Sequence, residues 1–253
     1  MAATGDTNLT GEEFWAEDYL ADVSLPARPD PAMAFERCLA AALARDAPIG
    51  AGKRVIEVGC APAKWLVFYA ERFGASVSGI EYTQHGAALS EANLRATGVN
   101  GRVHHADFFT FAPSEHDLVL SLGFIEHFED LAGAFERHLQ FLAPGGLLVI
   151  GVPNYKGLLG SVQRWTDPEH LALHNLAAME PALYQRLAAS HGLTVRSQRH
   201  LGGPDPAIIR LGRQRGRLAT GPLGLLRTQR AMDRVNHRLL SSYLLTVLHR
   251  PNR

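Results

Sequence analysis

Hydrophobic positions along the chain fall into short β-branched and leucine-rich runs, separated by longer amphipathic stretches. Runs at 54–58, 76–80, 102–105, 117–122, 147–152, 194–199 and 243–249 read as strands, several too continuous to leave one face in water. Between them apolar residues return every three or four positions and predict helices over 64–73, 84–96, 129–142 and 178–190. Gly74, Gly98 and Gly192 stand where a left-handed residue closes a helix. Asp30-Pro31 supplies an N-cap and first-turn signal for an earlier helix reaching about Ala44. Such alternation implies an α/β fold: a Rossmann-like, doubly wound, mostly parallel sheet with helices on both faces. Right-handed crossovers then place ligands at the carboxyl ends of the strands.

The first of these units carries the most chemistry. Val55-Ile56-Glu57-Val58 opens into Gly59-Cys60-Ala61-Pro62-Ala63-Lys64, a strand leading through a tight turn into a helix whose backbone N–H groups are free to hold a ligand. The next strand ends in Glu81-Tyr82, and Glu81 lies near the roughly 20-residue offset at which an acid reaches ribose hydroxyls in such folds. A dinucleotide pyrophosphate needs G-x-G-x-x-G, whereas this turn offers Gly59, Ala61 and Ala63; a phosphate-binding P-loop is absent too. Glu57 would repel a phosphate and suit a ligand bearing ammonium and sulfonium charges. S-adenosyl-L-methionine is such a ligand.

With these residues the sequence resembles the class I S-adenosylmethionine-dependent methyltransferases over roughly residues 50 to 200. Glu57-Val58-Gly59-Cys60-Ala61 is similar to the first motif of that family, Glu81 to its ribose-binding acid, and Ala106-Asp107-Phe108 to its adenine-binding pair. Asp117 to Leu122, followed by Gly123-Phe124-Ile125-Glu126-His127, resembles the fourth strand with its Glu-His ending. Leu142-Ala143-Pro144-Gly145-Gly146 resembles the turn before the fifth. Ala61 and Ala63 depart from positions that are often glycine. The resemblance implies a seven-stranded sheet with an antiparallel last strand, for which 243–249 is the candidate. It also implies a cofactor site of Glu57, Gly59, Cys60, Ala61, Glu81, Tyr82, Asp107, Phe108 and Leu122. Lys64 is placed either toward the methionine carboxylate or in solvent.

Methyl transfer from a sulfonium is an in-line displacement, so a base is needed only where the acceptor must lose a proton. Histidine is the natural candidate. His127 follows the fourth strand and is the first choice of catalytic base; His174, four residues after His170, is the second candidate. Glu126 and His127 also resemble part of a metal-binding pattern found in some methyltransferases, but Gly123 stands where its first acid belongs, and no metal is expected. Trp15, Tyr19, Tyr155 and Trp165 are candidate walls of the acceptor pocket, and residues 155–175 read as a lid.

Lys+Arg and Asp+Glu both number 25, so the net charge of +0 provides no global field for nucleic acid or membrane. Locally, the first thirty residues are acidic and read as a candidate substrate cap preceding a domain over 31–253. The region 203–238 is Arg-rich (Arg210, Arg213, Arg215, Arg217, Arg227, Arg230, Arg234, Arg238) without interleaved aromatics. Two cysteines give no disulfide framework; neither a signal peptide nor an apolar span is expected, and a cytoplasmic setting fits. The reading is methylation of an oxygen or nitrogen on a small-molecule acceptor, with a homodimer left open. The alternatives are an RNA-modifying enzyme using the Arg-rich region and a non-catalytic cofactor-binding protein.

Overall fold

The computed structural model describes residues 8–11, 15, 20, 23–205 and 230–252. Seven strands alternate with helices in chain order: α1 (Ala34–Asp46), β1 (Arg54–Val58), α2 (Lys64–Phe73), β2 (Ser76–Glu81), α3 (Gln84–Thr97), β3 (Gly101–His105), β4 (His116–Leu122), α4 (Leu131–Leu139), β5 (Leu142–Pro153), α5 (Leu158–Thr166), α6 (Pro168–Ala172), α7 (Pro181–Ser190), β6 (Thr194–Leu201) and β7 (Tyr243–His249). Within one sheet the order is β3-β2-β1-β4-β5-β7-β6. β7 enters antiparallel between β5 and β6, and the pairings among β1 to β5 are parallel.

Period-two alternation along buried strands divides the core into two layers. Val55, Leu118, Leu120, Val149 and Val247 face one side, where they meet Leu39 and Leu43 of α1 and Leu66 of α2. Ile56, Val119, Ile150 and Leu248 face the other, against Phe135 of α4 and Tyr184 of α7. Since both faces are covered, the strands carry the continuous apolar runs seen in the sequence.

The chain leaves β1 toward β2 and β3 on one side and later returns to β4 on the other. The β1/β4 pair, with Val55 opposite Leu118 and Val58 opposite Ser121, is therefore the topological switch point. Glycine caps with positive φ close α2 at Gly74 (φ 65°) and α3 at Gly98 (φ 72°), as the sequence predicts.

Two helices and one strand differ from the expectation. α4 spans Leu131–Leu139 rather than 129–142: the Asp130 carboxylate accepts from Gly133 N–H at 2.9 Å and starts it, and β5 already begins at Leu142. α7 starts at Pro181, whose fixed φ suits a first turn, and a separate 3-10 turn occupies Leu176–Met179. Behind the sheet, Arg37 of α1 grips Asp233 through two hydrogen bonds of 2.8 and 2.6 Å, tying the start of the 230–252 stretch to the domain. Tyr19 and Arg210 to Arg227 lie outside the described residues, and no helix among those described is long and apolar enough to cross a membrane.

Candidate functional site

The turn after β1 is built by backbone geometry. Gly59 takes φ 67°, its N–H donates to the Ile80 carbonyl at 2.9 Å, and the ring of Phe124 lies 2.9 Å from where a Cβ would stand. Ala63 adopts φ 66° at the start of α2, a left-handed conformation that glycine would take without steric cost. Cys60 is fully buried, with its thiol pushed well up by burial, which makes it a packing residue of the turn.

Two carboxylates face this turn. Glu57 is 3% exposed; burial raises its pKa well above the usual range, only partly opposed by Lys64, and Oε2 has no hydrogen-bond partner among the described residues. Lys64 itself is not free for a ligand, since its Nζ meets Glu36 Oε1 at 2.5 Å. At the end of β2, Glu81 Oε2 faces the Ala61 N–H at 3.4 Å, while Oε1 is held by Thr83. Tyr82 beside it is half exposed.

Past β3, Asp107 Oδ1 accepts from Phe109 N–H at 2.8 Å and so shapes its own turn. Phe108 is buried in an aromatic layer, stacked on Phe141 at 5.5 Å and edge-on to Phe124 at 5.5 Å. Leu122 ends β4, and Gly123 (φ 71°) then turns the chain into the short 3-10 turn Ile125–His127. Glu57, Gly59, Glu81 and Leu122 thus gather at the carboxyl ends of β1, β2 and β4, around the switch point.

A second group lies beside it. The ring of His127 packs edge-on to Trp15 at 4.9 Å and against His174 at 4.7 Å; His174 in turn meets His170 at 4.9 Å and Tyr155 at 5.0 Å. His170 sits in α6 and His174 just past its end, where its Nδ1 donates to the His170 carbonyl at 2.9 Å; the end of α6 thus brings the two together, and tertiary packing carries the pair to His127. His127 Nδ1 donates to the Leu173 carbonyl at 2.9 Å, and burial together with the neighbouring His174 and His170 lowers its pKa to about 3. Adjacent Glu126 is 1% exposed, with its pKa pushed by burial to about 8. At neutral pH, then, the 3.9 Å approach of Glu126 Oε1 to His127 Nε2 is a contact of two uncharged groups, not an ion pair. No group of three His, Cys, Asp or Glu side chains among the described residues has metal-binding geometry. Trp165 stands 86% exposed on α5, away from this cluster.

Sequence reasoning missed three contributors. Asn93 of α3 is buried and its amide bridges Ala27 and the Pro62 carbonyl, supporting the turn from behind. Phe124 covers Gly59, and Thr83 orients Glu81; the cap pattern at the start of α3 was the one available signal for the last.

A family described as a methyltransferase domain matches residues 33–198. The chain belongs to that methyltransferase family. Its relatives include a trans-aconitate 2-methyltransferase of Rhizobium leguminosarum bv. trifolii, 28% identical over 136 residues, covering 53% of this chain and 48% of that one. A ubiquinone biosynthesis O-methyltransferase of Aromatoleum aromaticum is 30% identical over 117 residues, covering 44% and 50%. The match therefore spans about half the length of these curated relatives. Among solved structures, an S-adenosylmethionine-dependent methyltransferase from Thiobacillus denitrificans, in complex with S-adenosyl-L-homocysteine, superposes with TM-score 0.60 at 17% identity, over 94% of this chain and 98% of that chain. The methyltransferase domain and the class I methyltransferase fold thus agree with each other.

Proposed function

We propose that this chain is an S-adenosylmethionine-dependent methyltransferase acting on an oxygen or nitrogen of a small molecule. The observation that carries the reading is the pair of acids around one turn at the switch point. Glu57, buried with an oxygen lacking a partner, suits the cationic end of the cofactor, and Glu81, aimed at the Ala61 N–H, suits its ribose. An orphaned buried carboxyl is costly alone and is satisfied by a ligand that brings ammonium or sulfonium charge. Asp107 and Phe108 would border the adenine, and the Gly59–Ala61 backbone with Leu122 the methionine end.

Bound cofactor supplies a methyl carbon made electrophilic by the adjacent sulfonium. The protein's task is alignment and exclusion of water. Phe124 closes the turn, and the ring cluster of His127, His174, His170, Tyr155 and Trp15 beside β4 provides a wall for the acceptor. Relatives named for trans-aconitate and for ubiquinone biosynthesis support a small-molecule acceptor.

The test is calorimetric binding of S-adenosylhomocysteine, followed by incubation with S-adenosylmethionine and a panel holding trans-aconitate, a catechol and a primary amine. Micromolar binding with release of S-adenosylhomocysteine upholds the proposal. Absence of both removes it.

A further inference from the structure

Glu126 is a buried acid that the reading above leaves without a task. Its turn is clamped from several directions: Asn175 N–H donates to the Glu126 carbonyl at 2.6 Å, Asn175 Nδ2 donates to the Phe128 carbonyl at 3.0 Å, and His127 Nδ1 holds Leu173. The N-terminal segment adds the Leu9 N–H on the His127 carbonyl at 2.7 Å. The carboxyl is therefore held in place at the end of β4, on the same edge of the sheet as Gly59 and Glu81.

For all that anchoring of its backbone, one oxygen of the carboxyl is left unserved. Oε2 has no hydrogen-bond partner among the described residues; the Glu126 backbone N–H bonds the carboxyl, and Oε1 is 3.9 Å from His127 Nε2, beyond hydrogen-bond length. A buried acid with a structural task is ordinarily satisfied, so the missing partner points to a group that arrives from outside. At Gly123 a Cβ would stand in ordinary contact with Oε1, at 3.8 Å, so glycine keeps the space beside the carboxyl free of a side chain.

We propose that Glu126, and not His127, accepts the proton of the methyl acceptor, its Oε2 meeting the acceptor O–H or N–H at the end of β4. This rests on the methyltransferase reading. In the step, a lone pair of the acceptor heteroatom forms the bond to the methyl carbon. The carbon–sulfur bond breaks with its electron pair left on sulfur, and the acceptor proton passes to Glu126. Carboxylate and sulfonium charges disappear together, so the step leaves no net charge in a buried site.

Basicity supports the choice. His127, held near 3, is a weak proton acceptor, whereas Glu126 near 8 is matched to a neutral or slightly alkaline medium. The titratable groups around it are His127 on its own turn, His170 and His174 beyond that ring, Tyr184 from α7 and Tyr243 from β7. Both phenols are pushed up by burial and by the Glu126 charge. Burial, not a neighbouring charge, sets the Glu126 value.

The experiment compares the parent with Glu126→Gln and Glu126→Asp, using S-adenosylhomocysteine for binding and whichever panel acceptor turns over for rate. Expected for Gln are unchanged S-adenosylhomocysteine affinity, kcat lower by about 10²- to 10⁴-fold, and loss of a rising limb near pH 8 that the parent shows. Asp should recover part of the rate. In an infrared titration the parent should show a protonated buried carboxyl that disappears near pH 8 and is missing in Gln. Parent-like kcat or an unchanged pH profile in Gln overturns the assignment, as does a rate loss matched by lost cofactor affinity. Should Gln fail to fold, absence of a protonated buried carboxyl at pH 6 in the parent overturns it instead. A parent that binds no S-adenosylhomocysteine and methylates nothing sinks the methyltransferase reading; an active parent with an equally active Gln variant sinks only the base.

Discussion

Glu81 Oε1 accepts two hydrogen bonds from Thr83, one from its backbone N–H at 2.9 Å and one from its hydroxyl at 2.8 Å. The same hydroxyl accepts from the Gly86 N–H at 3.0 Å and so caps α3. One threonine thus fixes the orientation of the proposed ribose acid and the start of the next helix. Glu81→Ala should weaken S-adenosylhomocysteine binding by about 1 to 3 kcal/mol through loss of a charged acceptor. Thr83→Val should cost about 0.5 to 2 kcal/mol of folding stability as a lost cap, with a smaller loss of affinity. Calorimetry and thermal melts on both variants check this, and equal affinity in Glu81→Ala would place the acid outside the site.

Asn93 makes three hydrogen bonds from inside the protein: it accepts from the Ala27 N–H at 2.7 Å and donates to the Ala27 and Pro62 carbonyls at 2.9 and 2.8 Å. Asn93→Ala leaves partly buried backbone groups of both neighbours without this partner and should cost about 1 to 3 kcal/mol in urea unfolding. Because Pro62 belongs to the turn, affinity for S-adenosylhomocysteine should fall as well. A variant that unfolds like the parent would show that water replaces the amide.

Two glycine-to-alanine changes should separate cofactor from acceptor. A Cβ at Gly79 would overlap Cys60, displacing the turn after β1, so Gly79→Ala should lower cofactor affinity. A Cβ at Gly160 would overlap the Tyr155 carbonyl, so α5 must shift and take Tyr155 from its place against His174. Gly160→Ala should therefore reduce turnover and leave S-adenosylhomocysteine binding near the parent value. The reverse pattern in paired calorimetry and rate measurements would contradict the division of the site.

Buried histidines make stability fall in acid. His138, whose Nδ1 donates to the Ala134 carbonyl at 2.7 Å, is lowered by burial to about 4, and His127 to about 3. The unfolded chain then binds protons that the folded one refuses, so their contribution is complete above about pH 6.5 and is lost as pH falls toward those values. Each group can take away up to about 1.4 kcal/mol per pH unit. Glu126 acts in the opposite sense, since its raised value makes the folded state hold a proton as pH climbs from about 4.5 to 8. Between pH 6.5 and 4, His138→Gln should lose less stability than the parent; between pH 6.5 and 8.5, Glu126→Gln should lose less. Urea midpoints across pH would show both.

Local information made much of this fold legible. The seven strands and their order of motifs follow from period-two and period-3.6 patterns, and Gly74 and Gly98 mark real helix ends because a left-handed cap is a property of one residue and its neighbours. Where the sequence misplaced an edge, as at α4 and β5, Asp130 and the pairing of Leu142 opposite His116 decided between two locally acceptable conformations. The alternation around Glu57, Gly59 and Glu81 likewise put the switch point in view, since a short strand, a turn and an acid at fixed spacing depend on little else.

Tertiary structure alone decided the chemistry of the second group. Nothing local says that His127 would bond Leu173, that His174 would pack against its ring, or that Lys64 would pair with Glu36 instead of facing a ligand. These partners are tens of residues apart, and the burial that lowers His127 is not displayed by the sequence. Glu126 and His127 are adjacent in the chain, yet burial moves the acid up to about 8 and the imidazole down to about 3, exchanging the proton affinities that their side-chain types alone would assign.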